Sequence, residues 1–180
     1  GLWGAALTAR VQAQGTWPTR PVRIIVPFAP GGGADVSARV LAELWAPALG
    51  QSVIVENKPG AGSAVGVNAA AQSKDGHTLL MGSNSMVINP ALNPQIGYDP
   101  IADFDAVGMV SDQPLVLVVP ASLEPKTAAE FVAWAKARPG QISYGSAGNG
   151  SPPHLAAELF RFAHGLDMQA VHYKGTGQAI

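Results

Sequence analysis

The sequence contains no cysteine, and only 13% of its 180 residues are charged. Without cysteine there is no disulfide scaffold, no zinc–thiolate site and no thiol nucleophile. The 11 basic and 12 acidic side chains nearly cancel, which argues against a nucleic-acid partner. No later run approaches the ~20 apolar residues of a membrane-spanning helix. Because 47% of the residues are hydrophobic, while 21 are Gly and 15 are Pro, we expect a folded domain that is rich in loops.

Common catalytic patterns are also missing. There is no Gly-Lys-Ser/Thr phosphate loop, and the nearest approach to a G-x-S-x-G elbow, Tyr144–Gly148, lacks the first glycine. The histidines at positions 77, 154, 164 and 172 match no zinc spacing, and the acidic residues are scattered rather than paired. The sequence therefore predicts neither an enzyme nor a bound metal or cofactor.

The first residues have the composition of a targeting segment. Residues 1–9 are mostly small and apolar, and Val11 and Ala13 supply the small side chains that a signal peptidase recognises. We interpret residues 1–13 as a signal-peptide remnant cleaved after Ala13, which predicts a periplasmic protein. The alternative is a frayed, weakly helical N-terminus.

Strand and helix signals alternate along the first half of the chain. Val22–Phe28 is a continuous apolar run, typical of a buried parallel strand. A glycine loop then leads into an amphipathic helix, with Asp35 as its expected N-cap. Strand signals at 52–55 and 78–81 flank an alanine-rich helix over 64–72. The alternation predicts a doubly wound parallel sheet that binds ligands at the carboxyl ends of its strands.

The pattern changes after residue 81. Residues 82–100 show little periodicity and predict a long surface excursion, followed by strand signals at Ala106–Val110 and Pro114–Val119. We place the crossing into a second lobe between these two runs. Residues 14–110 are therefore assigned to the first lobe, and residues 111–180 to the crossover and part of the second lobe.

The second lobe repeats the order of helix, strand and loop. Its signals are a capping box at Thr127–Glu130, a strand at Gln141–Tyr144, a helix capped by Ser151 with Pro152 first, a strand at Met168–Tyr173 and a helix start at Gln178. Because the last helix has only begun, we expect the second lobe to continue beyond residue 180.

Three loops rich in glycine or serine follow strands and precede helices. They are Pro30–Asp35, Gly145–Ser151 and Gly175–Gly177. Backbone N–H groups and helix N-termini at such positions favour an anion. A single loop of this kind is most simply a turn that needs glycine, but the recurrence favours a cleft for a small carboxylate.

Two further features have competing interpretations. Gly60–Gly66 is similar to a dinucleotide loop, but it misses G-x-G-x-x-G by one residue and lacks the later acidic partner, so we interpret it as close helix packing. His154, beside the middle loop, either binds a ligand or braces the loop, or it only caps a helix.

Four ordered motifs carry a family resemblance: Trp17–Asp35, Val55–Gly62, Ser146–Leu155 and Tyr173–Gly177. The chain resembles the Bug family, the extracytoplasmic solute receptors of tripartite tricarboxylate transporters, from residue 17 to residue 180. This resemblance implies the α/β fold of type II periplasmic binding proteins, with two doubly wound lobes around a cleft. It also implies no catalysis and no cofactor: a monomer would capture a small organic acid and present it to a membrane permease.

The resemblance also implies a set of ligand-binding residues, since family members hold a carboxylate mainly through backbone N–H groups, hydroxyls and water. The first-lobe residues are Phe28, Pro30, Gly31, Gly32, Gly33, Asp35, Ser83 and Asn84, and the second-lobe residues are Ser146, Ala147, Gly148, Asn149, Gly150, Ser151, His154, Lys174, Gly175 and Thr176. Candidate ligands are di- and tricarboxylates, acidic amino acids and aromatic acids. A sensory binding protein and a nucleotide-dependent enzyme remain as alternatives.

Overall fold

The computed structural model describes residues 17–180, so the predicted signal-peptide remnant at 1–13 lies outside the described residues. In chain order the elements are β1 Val22–Val26, α1 Gly33–Leu49, β2 Val53–Asn57, α2 Ala64–Ala71, β3 Thr78–Leu80, α3 Ser85–Leu92, α4 Ala128–Lys136, β4 Ile142–Ser146, α5 Pro152–His164, β5 Met168–His172 and α6 Thr176–Ala179. A 3₁₀ turn over Ala61–Ser63 leads into α2. Within residues 17–180, no helix combines the length and the apolar character needed to cross a membrane.

The first sheet has three parallel strands in the order β2-β1-β3. The central strand β1 is almost entirely buried, as its continuous apolar run predicts. Ile24 and Val26 pack with Ala38 of α1 and with Met81 after β3, and α2 forms a second cluster around Val67. The strand ends of this sheet are therefore held rigidly by apolar packing.

The second sheet pairs β4 with β5 in parallel, and Ser146 is the register neighbour of His172 at their carboxyl ends. Phe131 and Ala135 of α4 pack with Leu166, which precedes β5. The two parallel sheets with interleaved helices confirm the predicted α/β fold class.

The predicted N-cap at Asp35 is wrong. Helix α1 has Gly32 as its N-cap, and Asp35 is the third helical residue. Its carboxylate accepts a hydrogen bond from the Gly31 N–H, ahead of the helix, at 2.9 Å. The helix therefore starts three residues earlier than an N-cap at Asp35 would place it. The C-terminus of α1 has the expected glycine cap, with Gly50 in the left-handed conformation at φ 64°.

The two predicted caps of the second lobe are confirmed. The Thr127 hydroxyl accepts from the Glu130 N–H at 3.2 Å, and the Glu130 carboxylate accepts from the Lys126 N–H at 2.7 Å. The Ser151 hydroxyl accepts from the His154 N–H at 3.4 Å, with two prolines opening α5. These caps set the points at which the preceding loops end.

The strands predicted at Ala106–Val110 and Pro114–Val119 are not formed. No strand within residues 17–180 pairs with either run, and a strand requires a pairing partner for its backbone groups. Their apolar side chains are exposed, for example Val107 at 81% and Met109 at 88%. The lobe boundary placed between these runs stays a prediction.

Helix α3 forms inside the stretch predicted as an irregular excursion over 82–100. The Asn89 amide of α3 donates to the Gly62 carbonyl at 2.8 Å, and the Tyr98 hydroxyl donates to the Met86 carbonyl at 3.1 Å. These long-range contacts stabilise a helix that local periodicity does not indicate.

Candidate functional site

A cavity of about 280 Å³ lies where the loops after β1, β2, β4 and β5 meet. Its lining residues are Pro27, Phe28, Gly60, Ala61, Gly62, Ser63, Ala147, Gly148, Asn149, His172, Tyr173 and Lys174. Small-molecule sites typically enclose ~300–1,000 Å³, so this cavity suits a ligand near the small end of that range. Its position agrees with the expectation that parallel α/β sheets bind ligands at the carboxyl ends of their strands.

Loops from the two sheets contact each other around the cavity. The Ala29 N–H, after β1, donates to the Lys174 carbonyl, after β5, at 2.9 Å. A side chain at Gly62 would overlap the Asn149 carbonyl, so these backbones approach as closely as glycine permits. The cavity is therefore bounded by backbone from both halves of the described chain.

The cavity lining favours an anion. Among the described residues, no Asp or Glu side chain lines it, whereas Lys174 and His172 do. Much of the remaining lining is glycine or alanine, which leaves backbone N–H groups accessible to a ligand. Such groups bind anions at strand-to-helix loops.

Asp35 shapes the loop between β1 and α1. Asp35 is 3% exposed, and its carboxylate accepts hydrogen bonds from the Gly31 N–H at 2.9 Å, from Arg39 at 3.0 Å and from the Asn57 amide at 2.9 Å. Asn57 also donates to the Phe28 carbonyl at 3.1 Å. The Arg39 hydrogen bond, followed by those of Gly31 and Asn57, overcomes burial and lowers the pKa of Asp35 to about 2. The paired carboxylate thus fixes this wall of the site.

The loop after β4 is held by two histidines. His154 Nδ1 accepts from the Gly150 N–H at 3.1 Å, and Ser146 Oγ lies 2.9 Å from His172 Nδ1. Burial, reinforced by the neighbouring His172, lowers the pKa of His154, although Glu158 acts in the opposite direction. A neutral His154 can accept the Gly150 hydrogen bond, so the lowered pKa and the geometry agree.

Behind this loop, α5 is attached to β4 by a polar network. The Tyr144 hydroxyl donates to Glu158, which also pairs with Arg161 at 2.8 Å. Burial and the adjacent Glu158 raise the pKa of Tyr144, whereas hydrogen bonds from Arg161 and Tyr144 lower that of Glu158. Tyr144 therefore stays protonated and Glu158 stays ionised, as a hydrogen bond from the Tyr144 hydroxyl to the Glu158 carboxylate requires.

The structure brings part of the expected ligand-binding set together. Phe28, Ala147, Gly148, Asn149 and Lys174 line the cavity. Asp35, Ser146, Gly150, Ser151, His154 and Gly175 lie beside it and set the loop conformations. The remaining predicted residues, Pro30, Gly31, Gly32, Gly33, Ser83, Asn84 and Thr176, are not among its lining residues. Direct contact between a ligand and any residue of the predicted set stays a prediction.

One lining loop was predicted only as close helix packing. Residues 60–63 have positive φ angles of 139°, 46°, 62° and 95°, and all four line the cavity. Close helix packing, as predicted, is found at Gly66 of α2, where an added side chain would overlap Pro27. The loop also lies between a strand and a helix, so the rule applied to the other three loops would have identified it.

His172 was missed because its spacing was compared only with zinc motifs. It is the last residue of β5 and lies beside Ser146, the last residue of β4. The predicted strand Met168–Tyr173 places His172 near a carboxyl end, but the register that sets it beside Ser146 is seen only in the structure.

Parallel α/β units whose loops meet around a small cavity at the strand ends are typical of proteins that bind small molecules. Residues 37–180 match the family described as "Tripartite tricarboxylate transporter family receptor". BugT of Bordetella pertussis is 42% identical over 179 residues, a match that covers 98% of this chain and 55% of BugT. The chain belongs to this receptor family, which includes the Bug proteins.

Solved structures agree with this assignment. The periplasmic binding protein BugD is 34% identical with a TM-score of 0.81, and a Rhodopseudomonas palustris protein solved with adipate is 34% identical with a TM-score of 0.87. Each match covers 91% of this chain and 55% of the other. The predicted family and fold are confirmed, and the chain spans about half the length of the curated relatives it matches.

Proposed function

We propose that this chain belongs to an extracytoplasmic receptor that binds a small organic acid for a tripartite tricarboxylate transporter. The observation that carries the proposal is the cavity of about 280 Å³, which is lined by glycine-rich backbone and by Lys174 and His172. Among the described residues, no Asp or Glu side chain lines the cavity, so none would repel an acid bound there. Adipate in a related structure of the same fold supports a carboxylate as the ligand.

The same family membership supports a cellular compartment and a partner for the receptor. BugD is a periplasmic binding protein, and the pattern of residues 1–13 favours export to that compartment. The partner we propose is the membrane permease of the transporter, which would receive the acid from a monomeric receptor. The family description supports this partner.

We propose binding without catalysis. Ser146 and His172 are the one described Ser–His pair at the cavity, but Ser146 is only 1% exposed. A nucleophilic serine must reach its substrate, and in hydrolase triads it contacts the Nε2 atom of its histidine, whereas here the contact is to Nδ1. The burial of Ser146 and its contact with Nδ1 both argue against a nucleophilic role for this serine.

Calorimetry on the complete gene product tests the proposed function. The panel would contain malate, adipate, citrate, glutamate and benzoate, with glucose, Mg²⁺ and ATP as comparisons. Adipamide is a matched control for adipate, since it keeps the length of the molecule but carries no charge. We expect at least one acid to bind with one-to-one stoichiometry, whereas binding of only sugar, cation or nucleotide would reject the proposal.

A further inference from the structure

Ser146 and His172 differ in how a ligand can reach them. They are register neighbours at the ends of β4 and β5, and Ser146 Oγ lies 2.9 Å from His172 Nδ1. Ser146 is 1% exposed, whereas His172 is exposed and lines the cavity. A bound acid can therefore contact the imidazole but not the hydroxyl group.

The hydrogen bonds around Ser146 determine which nitrogen of His172 carries the proton. The Gly148 N–H donates to Ser146 Oγ over 3.5 Å, so this oxygen already acts as an acceptor. The buried hydroxyl proton also needs an acceptor. Within residues 17–180, His172 Nδ1 is the group at hydrogen-bond distance that can accept it. The neutral His172 ring consequently carries its proton on Nε2.

His154 restrains the orientation of the His172 ring. The two rings meet edge to face, with centroids 4.7 Å apart and an interplanar angle of 82°. His154 is itself fixed, because its Nδ1 accepts from the Gly150 N–H at 3.1 Å. This arrangement is a favourable one for aromatic rings. Contacts from β4 and from α5 thus hold His172 in one orientation at the cavity.

We propose that His172 is a ligand-binding residue that donates from Nε2 to a carboxylate oxygen of the bound acid, and that Ser146 is a positioning residue acting through it. The assignment rests on the proposed function for the nature of the ligand. It replaces direct binding by Ser146, which the family resemblance implied. An Nε2–H donor adds a directed hydrogen bond to a charged acceptor, beside the backbone donors of the loops.

Ring nitrogen spectroscopy tests the tautomer without any ligand. Long-range ¹H–¹⁵N spectra of the complete gene product would be recorded, with the His172 signals assigned by their loss in His172→Gln. We expect a protonated Nε2 and an unprotonated Nδ1. In Ser146→Ala the preference should weaken toward a mixture of tautomers. A wild-type His172 with its proton on Nδ1 would overturn the assignment.

Calorimetry with malate, adipate and citrate tests the contact with the ligand. His172→Phe keeps an aromatic ring beside His154 but removes both nitrogens, and should weaken binding by about tenfold to a hundredfold, as expected for a lost hydrogen bond to a charged group. His172→Gln places an amide N–H near the position of Nε2 and should recover most of the affinity. The matched control is His164→Gln, an exposed position on α5 outside the cavity lining, which should leave the affinity unchanged.

The outcomes separate this inference from the proposed function. If the wild-type protein binds an acid and His172→Phe binds it equally well, the role of His172 is wrong and the proposed function stands. If the wild-type protein binds none of the five acids in the full panel, the proposed function fails and the role of His172 fails with it. Ser146→Ala should add little to the effect of His172→Phe, since Ser146 acts through that ring. Fully additive effects would instead indicate that Ser146 contacts the ligand itself.

Discussion

Asp35 shows how one buried side chain can determine the shape of a binding loop without contacting a ligand. Its two oxygens are shared among the Gly31 N–H, Arg39 and the Asn57 amide. All three partners are donors, so the site requires an ionised carboxylate. The low pKa of Asp35, about 2, reflects this requirement.

Replacing Asp35 by Asn should destabilise the protein at neutral pH. An amide N–H₂ group would face donors in place of one carboxylate oxygen, and we expect a loss of about 1–3 kcal/mol in the free energy of unfolding. Urea denaturation at pH 7 measures this loss. Asp112→Asn, at an exposed position, should change stability by less than about 0.5 kcal/mol.

The pH dependence of this effect has a definite sign. The pKa of Asp35 is lowered to about 2 in the folded protein, below its unfolded value near 4. Its ionised form therefore stabilises the fold above about pH 4, and the contribution is lost as the pH falls toward 2. The stability difference between wild type and Asp35→Asn should shrink over this range. A difference that stays constant from pH 7 to pH 2 would contradict the assignment.

His154 should contribute a separate acid sensitivity at higher pH. Burial and the neighbouring His172 on β5 lower its pKa, while Glu158 on the same helix partly opposes them. Because the unfolded ring takes up a proton near pH 6.5 and the folded ring resists it, stability falls as the pH drops below that value. His154→Asn keeps an acceptor near Nδ1 but cannot titrate, so its stability should fall less steeply between pH 7 and 5. Equal slopes in the two proteins would show that His154 does not carry the effect.

At the scale of structural elements, the turn at Gly62 brings the loop after β2 against the loop after β4. Gly62 has φ 62°, and an added methyl group would overlap the Asn149 carbonyl. Gly76 has almost the same φ, 65°, but nothing within 4 Å of the added atom. Substitutions at the two positions therefore separate the cost of backbone strain from the cost of steric overlap.

Gly76→Ala should cost about 1–2 kcal/mol, the ordinary penalty for a left-handed residue with a side chain. Gly62→Ala should cost more and should also weaken binding of the acid, since the loops on both sides of the cavity must move apart. Urea denaturation and calorimetry on the two variants measure these effects. Equal losses of stability, with unchanged affinity, would mean that the contact between the loops is unimportant.

The elements that sequence patterns predicted correctly are those with strong local signals. The apolar run of β1, the glycine that ends α1 and the cap of α5 each depend on a few neighbouring residues. The strands expected at 106–110 and 114–119 failed because strand formation depends on distant pairing partners. Helix α3 was missed for the corresponding reason, since contacts with Gly62 and Tyr98 stabilise it.

At the scale of the whole molecule, the position of the site was more predictable than its lining. Parallel strands followed by glycine loops place a ligand at one edge of each sheet, and the cavity lies there. Which side chains reach the cavity depends on how the two sheets face each other. The sequence could therefore indicate Gly148 and Lys174, and the same loop rule would have indicated residues 60–63. The position of His172 beside Ser146 required the register of the strands.

The contacts between the two sheets predict where an acid should change the dynamics of the molecule. The Ala29 N–H bonds to the Lys174 carbonyl beside the cavity, so a ligand held between these loops should reduce opening of this hydrogen bond. Hydrogen exchange with and without a bound acid should show slower exchange in peptides covering 27–34, whereas α4, which does not line the cavity, should exchange at the same rate in both states. A ligand that bridges the two loops requires this local difference. Equal protection of α4 and of the β1 loop would instead indicate that the acid stabilises the whole protein without joining its two halves.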